Sequence, residues 1–382
     1  MNWTSRERVI TTINHKEPDR VPIDVQPGFD FYLSLKDYLG LEIEENIQPS
    51  YFREVIPHPR LCEEMGWDVI SIKLVKPDLR PSGEYENTDI MVDAWGVERK
   101  RIYQPGGGCL WEAVKHPLAN AVFEDLDSYP WPNPQMSGVR EATETFAKRI
   151  FEDTNLAIIG RFGGTIIETA LDLMGFQNWL MAAVSQPQLA GALLDKITDI
   201  AIQLDRLGLE SAGKYIQILK VSGDDLGMQT GLIYSPKVIR ELLLPRLKRR
   251  WQAAREYIQQ ELGLNIPLMF HTDGAVRTII PDLIQAGVDI LNPIQPFCQD
   301  MLFEELKHEF GNRLVFHGGI DIQRVLPFGS SMEVESHVKE VIRALAPGGG
   351  YILSPTHIVQ ADTPPENIIT MTQTAHNFGV YN

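Results

Sequence analysis

From about residue 156 onward, short apolar runs alternate with long amphipathic segments, the pattern that repeated βα units around a parallel sheet produce. Residues 156–162 read as a strand, followed by helical sequence through Trp179 and a second helix from Pro187 to about Leu209. In that second helix Leu189, Leu193, Ile197, Ile200, Leu204 and Leu207 recur at three- and four-residue steps, an apolar stripe on one face. Residues 215–221 form the next strand. Ser235 then caps, and Pro236 starts, a helix carrying Ile239, Leu242, Leu243 and Leu247, with a kink expected at Pro245. Four further strand and helix pairs follow: 267–270 with 275–285, 288–293 with 301–310, 314–316 with 332–345, and 351–354 with 366–378. Two earlier runs, 21–25 and 68–74, bring the strands to eight.

Eight strands, each followed by helix, predict an α/β fold of the (β/α)8 TIM-barrel type, with residues 1–382 as one barrel domain. A short helix over about 5–14 opens the chain, framed by Thr4 and Glu7 as a capping box. Residues 89–103 alternate roughly, with a break at Trp95-Gly96, and predict a β-hairpin inserted after the second strand. A doubly wound open sheet is the alternative. It lacks the Gly-x-Gly-x-x-Gly between strand and helix that would support it. The glycine triplets 106–108 and 348–350 do not precede helices, so they read as turns rather than phosphate loops.

Composition narrows the partners. With 43% hydrophobic and 23% charged residues the chain can bury a sizeable core. Lys plus Arg is 35 against 51 Asp plus Glu, and the net charge of −16 repels nucleic-acid backbones and anionic lipid over most of the surface. Cys62, Cys109 and Cys298 are odd in number and widely spaced, so neither a disulfide framework nor a cysteine-rich zinc site is expected. No signal core opens the chain and no apolar run approaches the roughly 18 residues a membrane span needs. A cytoplasmic enzyme acting on a small molecule is expected, and a homodimer would be ordinary.

In a barrel the chemistry sits at the C-terminal ends of the strands. Those ends carry Asp24 and Gln26, Lys73, Arg161, Asp224-Asp225, His271-Thr272-Asp273, Asn292 and Gln295, His317-Gly318-Gly319, and His357. Neutral imidazoles beside a carboxylate suit a divalent metal, which makes His271, Asp273 and His357 the candidate ligands. Equally, Asp273 could cap the following helix and His357 could be a hydrogen-bonded barrel histidine. Asp224-Asp225 is either a general acid/base pair or a turn. Arg161, leaving an apolar strand, must find an anion or a carboxylate, and is assigned to a substrate anion. Lys73 reads as an ion-pair partner. Asp24, Gln26, Asn292, His317 and Gly318 complete the substrate-facing set, the glycines allowing close approach of a ligand.

At these residues the chain resembles the uroporphyrinogen decarboxylase superfamily, which includes the zinc-dependent methylcobalamin:coenzyme M methyltransferases. The resemblance runs through Arg6-Glu-Arg-Val9, Glu17-Pro-Asp-Arg-Val-Pro22, Gly223-Asp-Asp-Leu-Gly-Met-Gln-Thr-Gly231 and His271-Thr-Asp-Gly274. It continues through Gly318-Gly-Ile-Asp-Ile-Gln323, Pro347-Gly-Gly-Gly-Tyr-Ile-Leu-Ser-Pro-Thr-His357 and Asp362-Thr-Pro-Pro-Glu-Asn367. It implies the barrel independently of the strand count. The decarboxylases carry Arg-x-x-Gly-Arg after the first strand, an aspartate at the end of the second and a tyrosine after the third. Here the first region reads Asp24-Val-Gln-Pro-Gly-Phe-Asp30, the second ends Ile72-Lys-Leu-Val-Lys76, and Thr169 stands near the tyrosine's place.

The methyltransferase branch holds zinc with His-x-Cys after strand five and a second cysteine near strand eight. His271 matches the histidine, Asp273 replaces the first cysteine, and His357 stands near the second. The resemblance thus implies a metal-dependent methyltransferase in which the metal lowers the pKa of an acceptor thiol that attacks a corrinoid-bound methyl group. The implied cofactors are a divalent metal, with zinc first, and methylcobalamin or a corrinoid protein as co-substrate. Asp224 would accept a proton, Arg161 hold an anion and His357 serve both metal and catalysis. Cofactor-free decarboxylation and a non-catalytic barrel that binds a corrinoid or another small ligand are the alternatives.

Overall fold

The computed structural model describes residues 3–43, 54–76, 89–104 and 108–381. Seven parallel strands, β1 (Val69–Ile72), β5 (Ala157–Gly160), β6 (Ile218–Gly223), β9 (Leu268–His271), β10 (Ile290–Ile294), β11 (Val315–Ile320) and β12 (Tyr351–Pro355), hydrogen-bond in that order. The intervening labels fall on two antiparallel sheets, β2 (Ile90–Val92) with β3 (Glu98–Tyr103) and β4 (Cys109–Lys115), and β7 (Gly227–Met228) with β8 (Gly231–Leu232). Helices separate the parallel strands, as the alternating pattern predicts.

The eighth expected strand, residues 21–25, is present as an irregular segment between β12 and β1. Ile23 bridges Leu353 in parallel, and the Asp24 amide donates to the Leu353 carbonyl at 2.9 Å. On the other side the Asp68 amide donates to the Ile23 carbonyl at 2.8 Å. The ladder stays short for two local reasons: Pro22 has no N–H to contribute, and the Ile23 amide is taken by the Asp68 carboxylate at 2.9 Å. That carboxylate is fully buried and also binds Arg8 at 2.5 Å and Arg20 at 2.7 Å, while Arg8 reaches Asp19 at 2.7 Å. The motif residues near the N-terminus therefore form an ionic clamp on the barrel seam. Removing one partner from such a buried cluster costs about 3–5 kcal/mol.

Strand alternation divides each barrel strand into an inward and an outward face. Val69, Ala157, Ile159, Ile218, Met269, Ile290, Val315 and Ile352 point inward at the N-terminal ends and pack with Val9 as one cluster. Helix Ser5–Ile13, opened by the expected capping box of Thr4 and Glu7, closes that mouth with Val9 and Ile13. Outward residues such as Leu219, Val221, Phe270, Leu291, Phe316 and Leu353 join the larger core beneath the helices. The floor of the barrel is thus dry and apolar.

Three local differences have physical causes. The insertion is a three-stranded sheet in the order β2-β3-β4, larger than the expected hairpin, because β4 pairs along the whole of β3. The glycine triplet before β4 lies outside the described residues except for Gly108. At Pro245 the helix widens into a π-turn over Ile239–Leu243 before helix Leu244–Gln260, which accommodates the proline ring and its missing N–H. The second triplet is a tight turn at the closed end: a Cβ on Gly349, at φ +74°, would lie 2.4 Å from the Lys16 carbonyl oxygen. Among the described residues no helix is long and apolar enough to cross a membrane.

Candidate metal centre

Two residues beyond the apolar floor, the same inward alternation turns polar. Ile218 is followed by Lys220, Met269 by His271, Ile290 by Asn292, Val315 by His317 and Ile352 by Ser354. The sequence builds the open mouth of the barrel from this one layer and the strand ends just above it.

A hydrogen-bonded chain crosses that layer. His317 Nε2 lies 2.9 Å from Asp24 Oδ2, Asn292 Nδ2 lies 2.7 Å from His317 Nδ1, and His271 Nδ1 lies 2.7 Å from Asn292 Oδ1. An amide nitrogen only donates, so His317 accepts at Nδ1 and turns Nε2 to the Asp24 carboxylate as donor. That leaves the Asn292 oxygen to accept from His271 Nδ1. His271 Nε2 is left with its lone pair facing the mouth. Asp24, Asn292 and His317 are 8%, 7% and 3% exposed, and they bind one another. The chain reaches the cluster through His271, and Asp24 also lines the pocket beside Arg161.

One ligand atom from each of His271, Asp273 and His357 falls within 4.8 Å of the others. The two rings stand 6.1 Å apart, edge to face. Burial, with Lys220 and the other histidine, holds His271 well below its ordinary pKa. Burial, with Lys220 and Arg161, brings His357 down to about 4, so both imidazoles are neutral. Asp273 Oδ1 is buried with no hydrogen-bond partner among the described residues, and Asp273 Oδ1 stands 3.9 Å from His271 Nε2. The helical turn that follows is not capped by the Asp273 side chain, so the capping alternative has no support here. Burial and the neighbouring Asp225 push Asp273 up to about 7. An orphaned carboxylate oxygen between two neutral imidazoles fits a divalent cation.

More carboxylates surround the cluster. Asp225 Oδ1 accepts from the Asp273 amide at 2.9 Å and lies 3.9 Å from His271 Nε2. Glu168 accepts from the Asp225 amide at 3.3 Å, and burial with Asp225 and Asp224 raises it to about 8. The expected proton acceptor, Asp224, is elsewhere. It is fully buried, its Oδ1 accepts from the amides of Ile166, Ile167 and Glu168 at 2.9, 2.6 and 3.2 Å, and its Oδ2 accepts from the Ser222 hydroxyl. Asp224 anchors the start of helix Ile167–Met174 and has no oxygen left for substrate.

Arg161 finds its carboxylate within the chain. Glu54, 6% exposed, accepts from Arg161 Nη1 at 2.9 Å and from Gln26 Nε2 at 2.6 Å, and pairs with Lys73 as well. Arg161, expected on a substrate anion, and Gln26, expected to face substrate, both bind Glu54 in an internal network. Together with Asp24 these residues line one small pocket. Gly318, at φ +119°, lets β11 approach β10: a Cβ there would lie 3.0 Å from Pro293 Cβ. Its absent side chain makes room for a strand, not for a ligand.

A (β/α)8-type barrel with histidines and carboxylates gathered at its strand ends has the layout of barrel enzymes. The uroporphyrinogen decarboxylase (URO-D) family model matches residues 87–378, and the chain belongs to that family. It is 25% identical over 308 residues to uroporphyrinogen decarboxylase 2, chloroplastic, of Arabidopsis thaliana, covering 74% of this chain and 72% of that protein. Against the uroporphyrinogen decarboxylase of Coxiella burnetii (strain RSA 493 / Nine Mile phase I) the identity is 22% over 197 residues, 52% of this chain and half of that protein. A solved methyltransferase from Methanosarcina mazei superposes with a TM-score of 0.66 at 18% identity, covering 99% of both chains, a likeness of fold.

Proposed function

We propose that the protein is a metal-dependent methyltransferase that moves a methyl group between a corrinoid and a small acceptor such as a thiol. The observation that carries this reading is the set of His271, Asp273 and His357, with donor atoms within 4.8 Å and one carboxylate oxygen left unpartnered. A divalent cation held there, zinc being suited to two imidazoles and a carboxylate, supplies the positive charge that lowers a thiol's pKa. Asn292 fixes the ring of His271 so that its Nε2 lone pair faces the mouth. Glu168 and Asp225 stand beside the cluster as the groups that take up or return the thiol proton. The co-substrate in this reading is methylcobalamin or a corrinoid protein.

Decarboxylation is the second reading, favoured by the names of the curated relatives. The first strand end weighs against it, since Asp24 and Gln26 stand where a carboxylate-rich substrate calls for arginines. Methyl loss from methylcobalamin, followed by its absorbance, tests both readings with zinc-loaded and chelator-treated protein and a panel of thiols. Metal-dependent demethylation is the expected result. Metal-independent turnover of uroporphyrinogen would replace the first reading with the second, and binding of methylcobalamin without turnover on either substrate would favour a non-catalytic barrel.

A further inference from the structure

Lys220 enters the barrel from the middle of an otherwise apolar strand. Its neighbours Leu219 and Val221 face the outer core, whereas Ile218 belongs to the apolar floor, so alternation puts Lys220 in the lumen one layer above that floor. In register it pairs with Met269 on β9, two residues before His271. On the other side Leu219 pairs with Gly160, which sets Arg161 beside Lys220 on the neighbouring strand. The lysine therefore lies between the Arg161 network and the metal centre.

The cations around it are compensated. Lys73 and Arg161 share the buried carboxylate of Glu54. Lys220 forms no hydrogen bond or ion pair among the described residues. Asp24, Asp225 and Asp273 act on it only from beyond ion-pair distance. Two of them are committed elsewhere, Asp24 to His317 and Asp225 to the Asp273 amide, and Asp273 belongs to the candidate metal cluster. Lys220 is half-buried, and an ammonium partly withdrawn from water with no counter-ion is disfavoured, a cost that a ligand anion offsets.

We propose that Lys220 is the anchor for an anionic group, a carboxylate or sulfonate, on the small molecule that occupies the barrel mouth beside His271, Asp273 and His357. This rests on reading the mouth as a small-molecule site. It names the substrate class more closely, as an anionic acceptor whose charged end lies on Lys220 and whose reacting end lies at the histidines. Burial and Arg161 bring the Lys220 pKa down to about 7 in the ligand-free protein, consistent with an ammonium that lacks a partner.

The test compares 3-mercaptopropionate with its neutral amide by calorimetric titration of the full chain, with and without zinc. Wild-type protein should bind the acid at least about tenfold more tightly than the amide, as a charge-assisted hydrogen bond gives. Lys220→Met should lose that preference and Lys220→Arg keep most of it, with zinc stoichiometry and thermal unfolding like wild type in both. Equal affinity for the two probes, no binding of either, or a preference that survives Lys220→Met would overturn the anchor. Zinc binding is read separately: protein that takes up no zinc yet prefers the acid contradicts the metal reading alone.

Discussion

His271 donates from Nδ1 to the side-chain oxygen of Asn292 at 2.7 Å, and this bond decides which nitrogen of the imidazole the barrel mouth receives. Asn292→Leu, close in shape but without polar atoms, leaves His271 and His317 each with an unmet ring nitrogen. Stability should fall by about 1–3 kcal/mol. Zinc affinity should fall roughly 10–100-fold, the usual effect of losing a group that orients a metal-bound histidine. Chelator competition on the folded variant measures the second effect, and unchanged affinity would show that Asn292 does not set the ring.

Asp224 and Asp225 are adjacent in sequence and opposite in role. Asp224→Ala removes four hydrogen bonds from a fully buried carboxylate and should cost about 3 kcal/mol or more, with zinc stoichiometry retained in the folded fraction. Asp225→Ala removes a side chain that is 36% exposed and should change stability by less than about 1 kcal/mol. It should nevertheless weaken zinc binding, because the Asp273 backbone loses its anchor. Denaturant unfolding and zinc titration of the pair separate the two roles.

Zinc binding should release protons in a defined window. Asp273, raised to about 7, is protonated at pH 6 and must lose that proton to ligate. His357, lowered to about 4, and His271, well below its ordinary value, are already neutral there and release none. Calorimetry in buffers of different ionisation enthalpy should therefore find about one proton released at pH 6 and nearly none at pH 8.5. Affinity should rise with pH across that interval and level off above it. Asp273→Asn should flatten the dependence.

The barrel was legible because its strands are short apolar runs and its helices carry long stripes. The metal candidates were legible because His271, Asp273 and His357 each stand at or just beyond a strand end. Four features were less visible, for local reasons. Residues 21–25 pair weakly around Pro22, so an apolar run became a bridge held by Asp68. The choice between Asp224 and Asp225 turns on which of two successive side chains faces the mouth, a one-residue distinction that composition does not make. Lys220 lies inside a strand rather than at its end, and its signal was a single charge in the run from Tyr215 to Val221. Glu54, the partner of Arg161, comes from a segment with neither strand nor helix periodicity.

The most direct test of the metal centre is an anomalous-scattering map at the zinc edge from crystals grown or soaked with zinc. The account predicts one strong peak in the barrel mouth, about 2.0–2.2 Å from a ring nitrogen of His271, a ring nitrogen of His357 and an oxygen of Asp273. An empty mouth in zinc-soaked crystals, or a peak held by other residues, would contradict it.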